Sequence, residues 1–298
     1  MRGGFIARVI RYIKRHQVQR LFVLQRGSRA FTIIEILVVL AVTGGLFVAA
    51  AVMIAGRRQQ TEFNQAIRQV QSQIQQVIND VATGFFPDRE NFQCTAGPSG
   101  PILTAGNSDQ GTNAGCIFMG KAIQFDVAGT SPELFSIYSI AGLQKNTSGQ
   151  EVQLRTQAKP KLVAPSTSEP AVPDTSVDQP LIGGLTTKRM WFNNGAGDVE
   201  IGSIAFMTGL ALYDGSAITS GGPRMHVIPI QGTTLDVTKT AAAEAINANV
   251  ATTPRDVSGG VFICFKSGGT NQSGLVSIAD NGRQLSVTLN IKSNLDCS

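Results

Sequence analysis

Glu35 is the residue whose setting most demands chemistry. It is the only charge in the apolar run from Ala30 to Ala55, read as AFTIIEILVVLAVTGGLFVAAAVMIA. A carboxylate in hydrocarbon costs about 2.5 to 3.5 kcal/mol on insertion scales, so Glu35 asks for a partner and is a functional candidate by default. Four cysteines follow, Cys94, Cys116, Cys264 and Cys297, and only two histidines, His16 and His226. No C-x-x-C spacing or adjacent histidine points to zinc. No G-x-S-x-G, H-E-x-x-H or P-loop spacing occurs, and Gly195-Ala196-Gly197 reads as a turn because it lacks the third glycine of a dinucleotide fingerprint. Asp88 and Glu90 read as solvated loop carboxylates, and Asp109, Asp126 and Asp198 are too scattered for a calcium loop. These residues predict no enzyme, no metal and no cofactor.

The element that holds Glu35 is long enough to cross a bilayer, since about 20 helical residues cover the hydrocarbon core. Eight of the chain's 25 basic residues fall in residues 1–30, with no acid, so residues 31–298 carry 17 basic against 20 acidic residues, a net −3. The formal +5 of the whole chain therefore gives no electrostatic basis for nucleic-acid binding. Positive residues beside an apolar segment stay cytoplasmic, which places everything beyond Arg57 and Arg58 outside the membrane. Residues 1–29 also space Phe5, Ile6, Val9, Ile10 and Ile13 among basic residues, as a helix resting on anionic lipid would, although orientation alone accounts for them. All four cysteines lie on the oxidising side, and their even number favours two disulfides, with three pairings open. Joining sequence neighbours, Cys94 to Cys116 and Cys264 to Cys297, closes short loops worth about 3 to 4 kcal/mol each.

A basic leader, the small Ala30, then Phe31-Thr32-Ile33-Ile34-Glu35-Ile36-Leu37 and a long apolar helix resemble the cleavage and assembly signal of type IV prepilins and pseudopilins, over about residues 26–60. The resemblance implies that a prepilin peptidase cuts between Ala30 and Phe31 and that the new Phe31 amine is methylated. Glu35 then becomes the fifth residue, meeting the amino terminus of a neighbouring subunit. It also implies other pilin or pseudopilin subunits as partners, an inner-membrane assembly platform with its ATPase, and membrane lipid before assembly. The chain departs from the family in having Ala30 where glycine is usual and no proline in mid-helix, where Gly44-Gly45 are the only weak point. A cleaved secretory signal or a plain signal anchor are the competing readings, but neither explains an acid four residues after Phe31.

Further along, Phe63, Ile67, Val70, Ile74, Val77 and Val81 step by four and three, a helical apolar stripe ending at Thr83-Gly84. Pro87 to Gly115 reads as a loop and Lys159 to Pro180, with its prolines among Ser and Thr, as an exposed extended insertion within a Pro/Ser-rich stretch at about 157–180. Strands are predicted at Cys116–Val127, Leu134–Ala141, Glu151–Thr156, Met190–Asn193, Val199–Tyr213, Arg224–Gln231, Gly260–Lys266, Gly274–Ala279 and Leu285–Ile291, with a turn at Asp280-Asn281-Gly282. Thr238–Val250 is predicted as a short helix. The glycine-punctuated terminal strands, beginning Val261-Phe262-Ile263-Cys264-Phe265, are similar to the ends of minor pseudopilins. The expected fold is α+β: a leader 1–30, a membrane and assembly helix 31–56, its amphipathic continuation 57–84, and a β-rich exported domain 85–298 whose mostly antiparallel sheet packs on that helix. The resemblance implies a structural, minor subunit of a type IV pilus or pilus-like filament. Its alternatives are a type II secretion pseudopilin and a tip subunit acting as an adhesin or in DNA uptake, with DNA or a surface glycan as ligand.

Overall fold

The computed structural model describes residues 32–84, 92–106, 115–126, 131–146, 148–152, 155–208, 225–231, 239–252, 260–268, 272–280, 285–293 and 297. The leader, Ala30, Phe31, His16, Asp88, Glu90 and Asp109 lie outside these residues. The chain divides into two units, Met1–Gly56 and Arg57–Ser298.

Helix α1, Ile33–Thr83, begins in the first unit and continues in the second. It contains no proline, and it runs unbroken through Gly44-Gly45, the expected weak point. The Thr43 hydroxyl donates to the carbonyl of Val39 at 2.7 Å, which satisfies a polar group inside the apolar segment without a partner from elsewhere. Gly84 ends the helix at φ 69°, with its N–H donating to the Val81 carbonyl. Glycine takes that left-handed conformation without the Cβ penalty, as the sequence anticipates.

In the second unit the elements follow as β1 (Phe92–Gly97), β2 (Gly100–Ala105), β3 (Cys116–Phe125), β4 (Leu134–Leu143), α2 (Arg155–Ala158), β5 (Lys161–Leu162), β6 (Val177–Pro180), β7 (Leu185–Asn193), β8 (Asp198–Glu200), β9 (Ser203–Thr208), β10 (Met225–Ile230), α3 (Lys239–Thr252), β11 (Val261–Ser267), β12 (Gln272–Asp280) and β13 (Leu285–Ser293). The fold is α+β and the described strand pairings are antiparallel. Three sheets replace the single expected one: the β1-β2 hairpin, a six-stranded sheet ordered β10-β9-β3-β4-β5 with β6 also on β4, and a five-stranded sheet ordered β13-β12-β11-β7-β8.

The predicted stripe on α1 is the centre of the core: Phe63, Ile67, Val70, Ile74, Val77 and Val81 are all at most 3% exposed. They share one apolar cluster with Phe125 and Phe206 of the six-stranded sheet and with Phe192, Ile263 and Val276 of the five-stranded sheet. Burying each such side chain stabilises by about 1.5 to 3 kcal/mol. In β12, Gly274 leaves the space that the Ile67 side chain fills, and a Cβ there would strike it. The other face of the six-stranded sheet forms a second cluster with α3, through Ala243, Ile246 and Val250. With apolar groups on both faces, β3 and β4 show runs of buried residues rather than alternation.

Two disulfides close the pairs Cys94–Cys116 and Cys264–Cys297, across 22 and 33 residues. Loops of that length are worth about 3 to 4 kcal/mol each in the chain-entropy account.

Several sequence expectations are corrected. Part of the Pro87–Gly115 stretch is the β1-β2 hairpin, whose Cys94 and Leu103 pack on Ala141, Val163 and Val172. Glu151–Thr156 is no strand: Glu151 makes an isolated bridge to Lys145, and α2 starts at Arg155. The Lys159–Pro180 segment is not an exposed insertion. Leu162, Val163 and Ala164 are at most 3% exposed, and β5 and β6 both pair with β4. Val199–Tyr213 is not one strand, because β8 belongs to the five-stranded sheet and β9 to the six-stranded one. Residues 209–213 lie outside the described residues, as do Asn281 and Gly282 of the predicted turn, although β12 and β13 pair antiparallel on either side of it.

Candidate functional site

The start of α1 is built from four residues. Thr32 precedes the first helical residue, and Glu35 lies in the first turn. The Glu35 N–H donates to Thr32 Oγ1 at 3.3 Å, while Glu35 Oε2 accepts from the Thr32 N–H at 3.0 Å and from its hydroxyl at 3.1 Å. This is a capping box: the threonine satisfies an orphan helical donor and the glutamate reaches back to the N–H before the helix. The negative charge also sits at the positive end of the helix dipole. The T-x-x-E spacing was present in the sequence as Thr32-Ile33-Ile34-Glu35, and it gives the carboxylate an intramolecular partner that the search for a charged one overlooked. Ala30 and Phe31, the expected cut site, lie outside the described residues.

Around this cap the surface is apolar. Each large apolar side chain from Ile33 to Ile54 is at least 50% exposed, and Phe47 reaches 81%. The helix is long and apolar enough to cross a membrane. The stripe from Phe63 onward, by contrast, is enclosed by sheets. The same helix thus offers one segment that needs an apolar surrounding from outside and one that has it.

The other charged groups brace the fold. Lys121 of β3, with its side chain 8% exposed, pairs with Asp80 near the end of α1. The Gln71 amide donates to the Val287 carbonyl of edge strand β13 at 3.0 Å. Tyr138 donates to Gln124 Oε1 at 2.7 Å, and burial pushes its hydroxyl pKa upward. His226 lies in β10, opposite Met207.

Asp178 accepts from Lys239 at 2.7 Å and from the Ser136 hydroxyl at 2.7 Å. Partial burial works to raise its pKa, but the hydrogen bonds from Lys239 and Ser136 and the lysine's charge prevail and hold it below the ordinary value. A carboxyl with a depressed folded-state pKa stabilises above its unfolded value, and that contribution is lost as pH falls through the folded one. An Asp178→Ala variant is therefore expected to melt below the parent at pH 7, with the gap closing below about pH 4, near the ordinary carboxylate range. Thermal melts at stepped pH check this, and a gap that stays constant down to acid pH would refute it. Glu244 is held low in the same sense, first by the Ser168 hydroxyl and then by the Ser168 N–H.

Among the described residues no group of three or more His, Cys, Asp or Glu side chains is arranged to hold a metal. A shallow groove of about 360 Å³ runs beside Arg68, Gln71, Ser72, Gln75, Gln76 and Asn79 of α1. It is open and lined by amides rather than by groups suited to acid-base or nucleophilic work. Compared with protein-family models, with curated proteins and with solved structures, the chain has no match in any of the three.

Proposed function

We propose that the chain is a structural subunit, of minor type, of a type IV pilus or pilus-like filament. In this reading the apolar segment of α1 stores the subunit in the inner membrane, with the leader cytoplasmic and the β-rich domain outside. A prepilin peptidase cuts between Ala30 and Phe31, and the Phe31 amine is methylated. Helices then move from lipid into a bundle of subunits, driven by an assembly platform and its ATPase. There the Phe31 ammonium of one subunit neutralises Glu35 of another. Two opposite charges that must leave water together are stable only when paired, so the pairing fixes the axial register of neighbours.

The observation that carries the reading is an acid in the first turn of a helix whose next twenty residues expose their apolar side chains. The capping box is compatible with it, because a carboxylate has lone pairs to accept from Thr32 and from a neighbouring ammonium at once.

Amino-terminal sequencing and intact mass of protein taken from membranes test the proposal. The expected result is a chain that starts at Phe31 and carries one added methyl group. A chain that starts at Met1, or at any other residue, removes the amine from the required place and overturns it.

A further inference from the structure

The five-stranded sheet presents its core face through Met190 and Phe192 of β7, Ile263 and Phe265 of β11, and Val276 and Ile278 of β12. Strand alternation therefore turns Trp191, Phe262 and Lys266 to the opposite face, together with Lys292 of β13, whose neighbours Leu289 and Ile291 pack inward. On that face Trp191 and Phe262 stack with ring centroids 5.5 Å apart and planes 22° apart. The Arg189 guanidinium lies 5.0 Å over the indole and donates to Glu200 at 3.0 Å. Glu200 stands directly across from Trp191 in the β7-β8 register. Lys266 and Lys292 are exposed, and both pair in register with Ser273 of β12. They are thus two strand spacings apart, about 10 Å, and the ring pair lies four residues away along β11, about 13 Å.

Aromatic rings flanked by a carboxylate and a guanidinium are the chemistry of sugar recognition: the rings take the C–H face and the charged pair exchanges hydrogen bonds with hydroxyls. An acid beside the rings repels the phosphates of a nucleic acid, whereas a sugar hydroxyl donates to it. The rings lie half-buried along the sheet, clasped by Arg189, and not on a projecting loop or helix of the kind that enters a bilayer surface. The two lysines supply a local positive charge on a chain that is net negative beyond residue 30. Their distance from the rings spans a few sugar units, which matches a polymer carrying carboxylates along its length.

We infer that this face binds an acidic polysaccharide, with Trp191 and Phe262 against sugar rings, Arg189 and Glu200 on hydroxyls, and Lys266 and Lys292 on uronate carboxylates. The site goes beyond the assembly reading, since binding here requires neither cleavage nor a neighbouring subunit. Trp191 is the chain's single tryptophan, so its emission reports the site directly. The experiment titrates the full chain in detergent with polygalacturonate, with neutral dextran, with a thymidine oligonucleotide and with phosphatidylglycerol vesicles. Polygalacturonate is expected to give a saturable, salt-sensitive change, which dextran gives only weakly. The Lys266→Ala/Lys292→Ala double variant, altered only at exposed positions, is expected to raise the half-saturating concentration about fivefold. Four outcomes overturn the inference: no saturable response to polygalacturonate, the same titration in the double variant, an equal or stronger response to the oligonucleotide, or one to the vesicles.

Discussion

Replacing Glu35 by alanine or by glutamine is expected to leave a membrane-held, correctly cleaved protein that no longer enters filaments. The two variants separate the two roles that the structure gives this side chain. Alanine removes the capping box and the charge together, and loss of an N-terminal cap costs about 0.5 to 2 kcal/mol of helix stability. Glutamine keeps the box, because its amide oxygen accepts from Thr32 as the carboxylate does. If Glu35 served only to start α1, the glutamine variant would incorporate like the parent. If it neutralises a neighbour's Phe31 ammonium, glutamine leaves that cation unpaired in an apolar bundle. The cost of an unpaired buried charge is about 3 to 5 kcal/mol, enough to reduce incorporation by more than about a hundredfold. Immunoblots of sheared filaments against membrane fractions read the ratio. Normal incorporation of Glu35→Gln would falsify the assembly mechanism while leaving the capping box intact.

Periodicity made the core legible where one face alone is buried. The stripe from Phe63 to Val81 repeats every three or four residues, and every member lies in the core. The strands at Cys116, Leu134, Met225, Val261, Gln272 and Leu285 were read within a few residues of their bounds for the same reason. Composition misled where long-range contacts satisfy the backbone. In the Lys159–Pro180 segment, prolines and hydroxyl residues suggest an exposed linker. Yet the Leu162 N–H donates to Asn247 of α3, and the Thr175 N–H donates to the Val163 carbonyl. Those partners lie 85 and 12 residues away, and no local pattern announces them. The boundary between β8 and β9 was hidden in another way. A continuous apolar stretch does not show which sheet each part joins, and Ile201 and Gly202 carry the chain from one sheet to the other. At the candidate site the opposite held: the T-x-x-E spacing was fully local, and the charge of Glu35 drew attention from its geometry.

Phe47 and Phe63 lie on one helix and differ in what surrounds them. Phe47 is 81% exposed and Phe63 is 1% exposed. Phe63 belongs to the cluster shared by both large sheets, next to the gap that Gly274 leaves over α1. Removing its ring creates a cavity lined by side chains from three elements, which rigid strands cannot close. A Phe63→Ala substitution is therefore expected to destabilise the β-rich unit by about 3 to 5 kcal/mol. Against a typical domain stability of about 5 to 15 kcal/mol, that is a large share. Phe47→Ala removes the same atoms from a position with no packing partner within the fold, so the melting of the β-rich unit is expected to change by less than about 0.5 kcal/mol. Its effect falls instead on transfer into hydrocarbon, where the lost ring area weakens membrane partition. Thermal melts followed by Trp191 emission measure the first quantity, and the membrane-bound fraction after carbonate extraction measures the second. If both variants lowered the melting temperature alike, the two halves of α1 would share one core, and the exposed segment could not be free to exchange lipid for neighbouring subunits. If neither did, the stripe would not be what joins the two sheets to the helix. A split response is what a helix requires when one half must stay docked in its own domain while the other changes surroundings.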